Sequence, residues 1–198
     1  MTKAIFLDRD GTILKPIDTE GENFGYLTRP EQVELIPGAA DAIAEARNKG
    51  YKTIIVTNQS AIARGWLSEE EFQMINGKMY EMLLKENPCA VIDDLFYSPY
   101  HKDGVIEKYS VEHPSRKPGT GMLLEARKKH DIDFSRSFLI GDAYSDMMCA
   151  SNAGLKSILV LTGYGKMTQR KCLDEKLKID FIAEDLSAAV KYITEYFD

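Results

Sequence analysis

The feature that most constrains this chain is a short apolar segment that ends in two acids. Residues 4–7 are apolar, and Asp-Arg-Asp-Gly-Thr follows at 8–12. A short apolar run closed by acids and a glycine predicts a buried parallel strand that ends at the edge of its sheet. Ligands of open α/β sheets bind at the carboxyl ends of strands. Since side chains two residues apart on a strand share a face, Asp8 and Asp10 are expected to point into one crevice.

Two carboxylates in one crevice are suited to different chemical roles. Close carboxylates repel each other, which raises the pKa of one and separates their functions. One can then attack as an anion while the other carries a proton. The alternative interpretation of an isolated Asp-x-Asp-Gly sequence is an ordinary turn or a loosely formed metal loop, so the later segments must decide between them.

Three later segments favour catalysis, because they supply a strand-end hydroxyl, a lysine and a further strand-end acid. In that order they resemble the four motifs of the haloacid dehalogenase superfamily of phosphatases. Within it, the chain is most similar to the D,D-heptose 1,7-bisphosphate phosphatases and the histidinol-phosphate phosphatases, from about residue 4 to about residue 165. The resemblance is carried by residues 6–13 (FLDRDGTI), 57–65 (TNQSAIARG), 116–118 (RKP) and 141–142 (GD).

The spacing of apolar residues predicts a doubly wound, Rossmann-like parallel sheet with helices on both faces and no separate cap domain. Two long loops, at 15–37 and 98–115, are expected to cover the crevice, and 59–67 is expected to be a loop. Strands are predicted at 4–7, 51–56, 91–97, 137–140, 155–161 and 181–183, and helices at 38–49, 68–85, 118–130, about 145–154 and 186–197.

The length of 198 residues predicts one domain, and the resemblance implies that this is a haloacid dehalogenase-like phosphatase domain over residues 1–198. Hydrophobic content of 44% and charged content of 28% are typical of a globular protein. The net charge of −6 gives no support for a nucleic-acid partner, and no basic run suggests a membrane surface. The resemblance implies a small phosphorylated metabolite as the partner. The sequence leaves the oligomeric state open, and a monomer is favoured.

Cysteine usage and the N-terminus predict a cytoplasmic location. The three cysteines, Cys89, Cys149 and Cys172, are isolated and odd in number, which favours a reducing compartment. No segment resembles a signal peptide or approaches the length of a transmembrane helix.

The resemblance implies a mechanism with two acids and a metal. Asp8 is expected to be the nucleophile, and Asp10 the group that protonates the departing alcohol and then deprotonates water. A phosphate beside carboxylates needs a hard cation, and Mg²⁺ fits that requirement. The ligands that the resemblance implies are the carboxylate of Asp8, the backbone carbonyl of Asp10 and Asp142. For Asp146 the alternatives of a helix cap, a second-layer group and a metal ligand stay open.

The remaining site residues are expected to bind the substrate. Thr57, Asn58 and Gln59 would hold phosphate oxygens where the second strand ends, and Lys117 would supply a fixed positive charge. The alternative for Thr57 is an ordinary β-branched strand end. The resemblance places Arg64 and Arg116 against the substrate, where they would determine specificity; the alternative for each is a solvated surface arginine.

The chain departs from the resembling families in the loop before the lysine motif. Those families usually carry a structural zinc there, whereas this chain has Ser98, Tyr100, His113 and Ser115 at the ligand positions. Zinc prefers four thiolate or imidazole ligands, so structural zinc is not expected. The alternative is a replacement site at His101 and His113 completed by Asp103 or Glu112. The divergence leaves the catalytic step untouched but bears on the substrate.

The favoured substrate is D-glycero-D-manno-heptose 1,7-bisphosphate, losing its 7-phosphate. A second phosphate should be bound by arginines, and Arg64 and Arg116 lie in two different loops. The alternative within the same chemistry is a histidinol-phosphate phosphatase. An alternative of another class is a phosphoryl-accepting receiver-like signalling module, against which the first-strand Asp-x-Asp argues. A catalytically silent relative is disfavoured, since every catalytic motif position is retained.

Overall fold

The computed structural model describes residues 1–17 and 25–197. Within them, the strands form one all-parallel sheet in the order β3-β2-β1-β4-β5-β6, which confirms the predicted doubly wound sheet. The strands are β1 (Ala4–Leu7), β2 (Lys52–Asn58), β3 (Asp94–Ser98), β4 (Phe138–Gly141), β5 (Lys156–Val160) and β6 (Phe181–Ala183).

Helices cover both faces of this sheet. They are α1 (Ala39–Asn48), α2 (Ser60–Ala63), α3 (Glu69–Glu86), α4 (Gly121–His130), α5 (Tyr144–Ala153), α6 (Gly165–Asp174) and α7 (Leu186–Tyr196). On β1, Ile5 and Leu7 pack into one apolar cluster and Ala4 and Phe6 into the other. Because successive side chains of a strand point to opposite faces, a strand buried on both sides must be apolar throughout.

The centre of the sheet is also the point where the chain order reverses. Leu7 of β1 pairs with Ile55 of β2 on one side and with Ile140 of β4 on the other. Asp8 follows directly, and its N–H donates to the Ile140 carbonyl at 2.9 Å. In doubly wound sheets this switch point is where the ligand crevice forms. The fold therefore places the first acid of the opening motif at the crevice.

Local signals set several helix ends where the sequence predicts them. Ser68 and Glu71 form a reciprocal capping box at the start of α3, with side-chain to backbone distances of 3.1 and 2.7 Å. Gly50, just after α1, has a φ of +78°, in the left-handed region that a helix C-terminus commonly requires.

Two helices and several boundaries differ from the sequence-based predictions. The predicted loop 59–67 contains the short helix α2, and β2 continues through Asn58, so Thr57 and Asn58 are strand residues. Helix α4 begins at Gly121 rather than at Pro118, whose peptide bond to Lys117 is cis. The third strand begins at Asp94, three residues late. Helix α6 has no counterpart in the prediction, because its polar sequence buries only Gly165, Thr168 and Cys172.

The predicted cover at 15–37 falls partly outside the described residues, since 18–24 are not among them. Its described ends are tied to the body of the protein: Leu14 bridges to Leu35, and the Lys15 N–H donates to the Glu34 carbonyl at 2.9 Å. Leu27, Val33 and Leu35 are buried. Across residues 1–17 and 25–197, the protein has no helix with the length and apolar character needed to cross a membrane.

Candidate active site

A cavity of about 260 Å³ opens at the carboxyl ends of the central strands. Tyr26 and Leu27 of the predicted cover line one side of it. The loop 98–115 contributes no lining residue and lines a neighbouring cavity instead, which shares only Arg116 and Lys117. Of the predicted site residues, the cavity brings together Asp8, Asp10, Thr57, Asn58, Gln59, Arg116, Lys117 and Asp142.

Three buried carboxylates form the acidic centre of the site. One oxygen from each of Asp8, Asp142 and Asp146 lies within 4.8 Å of the others. Burial, together with repulsion from Asp146 and Asp10, raises the pKa of Asp8 to about 7, although Lys117 opposes the shift. Burial and the same kind of repulsion from Asp8 and Asp146 raise the pKa of Asp142 to about 8. Crowded hard oxygen donors of this kind suit a divalent cation that would relieve their repulsion.

Lys117 is the cation that this centre already contains. Its buried ammonium contacts Asp8 Oδ1 at 2.9 Å, Asp146 Oδ1 at 2.5 Å and the Val56 carbonyl oxygen at 2.8 Å. Although burial disfavours the charged form, the carboxylates of Asp146 and Asp8 raise the pKa of Lys117 above its usual range. The lysine is therefore charged throughout the working pH range, with two hydrogen bonds, to Asp8 and to the Val56 carbonyl, and an ion pair with Asp146.

Asp146 has two structural contacts, which identify its part in the arrangement. Besides pairing with Lys117, its Oδ2 accepts a hydrogen bond from the Ala143 N–H at 3.0 Å, at the start of α5. Asp142, another carboxylate of the acidic centre, accepts a hydrogen bond from the Tyr164 N–H at 2.7 Å. Gly11 lies against it: a Cβ there would come within 2.2 Å of Asp142 Oδ2, and the φ of Gly11 is +87°. Only glycine fits this close approach.

The strand-end polar residues bind one another as well as facing the cavity. The Asn58 side chain pairs with the backbone of Lys117, accepting from its N–H and donating to its carbonyl, both at 3.0 Å. Gln59 Nε2 donates to Thr57 Oγ1 at 2.9 Å and to Asp10 Oδ2 at 2.8 Å. The amide of Asn58 thus holds the lysine loop, and contact of Thr57, Asn58 and Gln59 with phosphate stays a prediction.

Two buried polar residues that sequence reasoning missed lie behind Asp10. The guanidinium of Arg9 is bound to Asp10, to Gln59 and to Asn76 of α3. Arg9 lies between the two aspartates of the opening motif, and the sequence pattern marked those acids rather than the arginine. Asn76 carried a usable signal: it is a polar residue on the apolar face of α3, between Phe72 and Met79.

Arg64 lies outside the cavity lining. Its Nη2 is 3.4 Å from His101 Nε2, and its guanidinium lies over the Trp66 ring at 5.4 Å. Arg116 donates to the Tyr100 carbonyl at 3.1 Å and makes no salt bridge to a carboxylate among the described residues. Burial, together with the charge of Arg64, lowers the pKa of Arg116. The two arginines thus form one positive region at the side of the cavity.

The four positions at which the resembling families carry zinc ligands lie together and are joined here by hydrogen bonds and ring stacking. Ser115 Oγ is 2.7 Å from His113 Nδ1 and donates to Ser98 Oγ at 3.1 Å. The Tyr100 ring stacks on His113, with ring centroids 3.9 Å apart. These contacts connect both ends of the loop 98–115. Among the described residues, the one cluster with metal-ligand spacing is the aspartate centre, which does not include His101 or His113.

Comparison with known proteins agrees with this geometry. Residues 114–189 match the family model described as HAD-hydrolase-like. The chain is 37% identical over 193 residues to D-glycero-D-manno-heptose-1,7-bisphosphate 7-phosphatase of Thermosynechococcus vestitus, covering 96% of this chain and 94% of the relative. It is 35% identical to D-glycero-beta-D-manno-heptose-1,7-bisphosphate 7-phosphatase of Haemophilus ducreyi, covering 96% and 98%.

A solved structure gives the same result. D,D-heptose 1,7-bisphosphate phosphatase from B. bronchiseptica, complexed with magnesium and phosphate, superposes with a TM-score of 0.83 at 28% identity, covering 98% of this chain and 99% of that one. The same family is indicated by the fold, by the order of the motifs and by relatives of this identity and coverage. The chain belongs to the family of haloacid dehalogenase-like phosphatases that includes the D-glycero-D-manno-heptose-1,7-bisphosphate 7-phosphatases.

Proposed function

We propose that the whole chain, residues 1–198, is one catalytic domain that removes the 7-phosphate of D-glycero-D-manno-heptose 1,7-bisphosphate through an aspartyl-phosphate intermediate. The observation that carries the proposal is the buried contact between Asp8 and Lys117 at the floor of the cavity. A carboxylate held beside a permanent cation, at the switch point of the sheet, is suited to attack a phosphoryl group.

The first half of the reaction forms the intermediate. A carboxylate oxygen of Asp8 attacks phosphorus, a new P–O bond forms, and the bond from phosphorus to the sugar oxygen breaks. Asp10 gives its proton to that sugar oxygen, so that the product leaves as an alcohol. Lys117 offsets negative charge on Asp8 and on the phosphoryl oxygens.

The second half restores the enzyme. Asp10, now a carboxylate, takes a proton from water while the water oxygen attacks phosphorus. The bond between phosphorus and Asp8 breaks, which releases inorganic phosphate and returns the Asp8 carboxylate. Asp142, held by the Tyr164 N–H, and Asp146, held by the Ala143 N–H, keep fixed positions during both steps.

The residues at the acidic centre fit Mg²⁺. The Asp8 and Asp142 carboxylates and the Asp10 carbonyl would hold it, in keeping with three close, buried carboxylates, of which Asp8 and Asp142 have pKa values raised by burial and by repulsion from neighbouring carboxylates. When bound, the ion would supply charge neutralisation at the phosphoryl oxygens. We propose that the loop 98–115 needs no structural zinc, because its former ligand positions are joined by hydrogen bonds and stacking.

The positive region beside the cavity supports a substrate with two phosphates. The Asp103 N–H donates to His101 Nδ1 at 3.1 Å, so the neutral ring carries its hydrogen on Nε2, facing Arg64. Burial and the nearby charges of Arg116 and Arg64 lower the pKa of His101 and keep it neutral. Arg64 Nε is buried without a partner in the described structure. Hydrogen-bond donors that face one another without an acceptor favour binding of an anion such as the 1-phosphate.

Arg116→Ala is the variant that tests this assignment. We expect it to raise KM for the heptose bisphosphate on the order of tenfold, because a charge-assisted contact to the second phosphate is lost. For heptose 7-phosphate, which is the same sugar without that phosphate, KM should change by less than about twofold. Steady-state kinetics with both sugars measure the difference, and Arg170→Ala, an exposed arginine of α6, is the matched control. Equal KM increases for both sugars would contradict the 1-phosphate assignment.

A further inference from the structure

Among the described residues, Arg9 has the largest fully buried side chain, and that side chain is charged. Its side chain is 0% exposed, although it lies between two residues that line the open cavity. Burying a guanidinium is costly unless its charge is paired and its donors are engaged. Asp10 is the one carboxylate within salt-bridge distance of Arg9 among the described residues. The buried charge of Arg9 is therefore compensated by Asp10, the residue proposed as the general acid and base.

The pair has the two-point geometry that fixes a carboxylate in one orientation. Arg9 Nε donates to Asp10 Oδ1 at 3.0 Å, and Nη2 donates to Asp10 Oδ2 at 2.9 Å. Neighbours in sequence do not face each other along a regular strand, so the pairing depends on the chain leaving strand geometry after Leu7. A planar guanidinium bound at both oxygens restricts rotation of the carboxylate as well as its position.

Other side chains in turn hold the guanidinium. Nη2 also donates to Gln59 Oε1 at 3.1 Å, and Nη1 donates to Asn76 Oδ1 at 2.9 Å. The Phe72 ring lies 5.2 Å from the guanidinium carbon. Asn76 is buried on the apolar face of α3, and its Nδ2 has no hydrogen-bond partner in the described structure. An unsatisfied buried amide is unfavourable, so what this asparagine contributes is its contact with Arg9.

Counting acceptors on Asp10 separates the functions of its two oxygens. A carboxylate oxygen has two lone pairs. Those of Oδ2 are taken by Arg9 Nη2 and Gln59 Nε2, whereas Oδ1 has a single described donor, Arg9 Nε. The Asp10 side chain is 38% exposed and lines the cavity. Oδ1 is therefore the oxygen with a lone pair free to face the reacting group.

We propose that Arg9, held by Asn76 and Gln59, is a positioning residue that presents Oδ1 of Asp10 for both proton transfers. The inference rests on the proposed phosphatase mechanism and extends it to helix α3, which lies outside every catalytic motif. Oδ1 carries the proton that goes to the leaving oxygen and then receives the proton from water, while Oδ2 stays bound to Arg9 and Gln59.

The test compares two esters of similar size that differ in their need for a proton. The leaving group of benzyl phosphate is an unstable alkoxide that requires protonation. The leaving group of 4-nitrophenyl phosphate is a stable phenolate that does not. The parameter kcat/KM reports only the steps up to departure of the leaving group. For Asn76→Leu we expect kcat/KM to fall about tenfold with benzyl phosphate and less than about twofold with 4-nitrophenyl phosphate.

Asn76→Asp provides a second variant of nearly unchanged shape. Its carboxylate would compete with Asp10 for Arg9, so we expect the same selective loss with benzyl phosphate. Ile75→Val, which trims a buried neighbour on α3 without touching Arg9, controls for loosened packing and should affect both esters equally and weakly. Thermal melts of all variants confirm that the protein compared is folded.

The outcomes separate the inference from the function on which it rests. Equal losses on both esters in the two Asn76 variants, with an active wild type, would show that Asn76 only supports the fold and would overturn the inference. A wild-type protein that hydrolyses no phosphate ester would contradict the proposed function, and the inference with it. Selective loss with benzyl phosphate supports both.

Discussion

Asp8→Asn is expected to lower kcat by at least about 10³-fold, because asparagine is a poor nucleophile and cannot form the aspartyl-phosphate intermediate. The fold should survive, since an amide oxygen can still accept the hydrogen bond from Lys117 at 2.9 Å. Removing one of three crowded carboxylates also relieves repulsion, so the melting temperature of the metal-free variant should be no lower than that of the wild type.

Turnover of heptose bisphosphate and thermal unfolding measure the two expectations. Asp174→Asn, at an exposed acid at the end of α6, is the matched control and should retain wild-type activity. An Asp8→Asn variant that is folded and hydrolyses the bisphosphate within about tenfold of the wild-type rate would rule out Asp8 as the nucleophile.

Mg²⁺ affinity is expected to rise by roughly 500-fold between pH 6 and pH 8. The ion binds carboxylates in their charged form, and the pKa values of Asp8 and Asp142 in the metal-free protein are raised to about 7 and about 8. At pH 6 nearly two protons must therefore be released on binding, at pH 8 about half a proton, and well above pH 8 none. Isothermal titration calorimetry in buffers of different ionisation enthalpy measures affinity and released protons together.

The same two groups determine how stability depends on pH. Their pKa values are raised in the folded state, so between about pH 4 and pH 8 the folded protein holds protons that the unfolded chain has lost. Metal-free stability should consequently fall as pH rises through that window, by up to about 1.4 kcal/mol per pH unit for each group. Saturating Mg²⁺ should abolish the trend. An affinity that is independent of pH from 6 to 8 would contradict the assignment of these ligands.

The arrangement of the sheet was predictable because it depends on local patterns. Four apolar residues before Asp8 specify a strand buried on both faces, and a strand followed by acids at the switch point specifies the crevice. Helix α6 was harder to predict from the sequence. The polar sequence of α6 conceals its helix, because only three of its residues are buried.

Whether a site residue could be predicted also depends on whether its role follows from a local pattern. Asp8, Asp10 and Asp142 follow the ends of strands, and Lys117 lies in the loop before a helix, all within motifs that a sequence shows. The structure brings all four to one cavity. The environment of Asp10 depends on Asn76, which is 66 positions away in the chain, and no local pattern specifies that contact. For Asp146, sequence left three roles open, and the structure shows a helix-capping contact and an ion pair with Lys117.

The positive region shows why substrate specificity is harder to predict than chemistry. Arg116 and Arg64 come from different loops, and only folding shows that they lie near each other, beside His101. Lys108 is a further cation of the loop 98–115. In the structure Lys108 pairs with Glu69 at 3.7 Å and lines a separate cavity, so it does not contribute to this region.

The most direct test of the account is the specificity of the wild-type protein. With Mg²⁺ present, kcat/KM for D-glycero-D-manno-heptose 1,7-bisphosphate is compared with kcat/KM for histidinol phosphate, while ³¹P NMR identifies which phosphate of the sugar is released. Hydrogen-bond donors of Arg64, His101 and Arg116 predict a clear preference for the bisphosphate, with release of the 7-phosphate. Faster turnover of histidinol phosphate at equal low concentration would contradict the account.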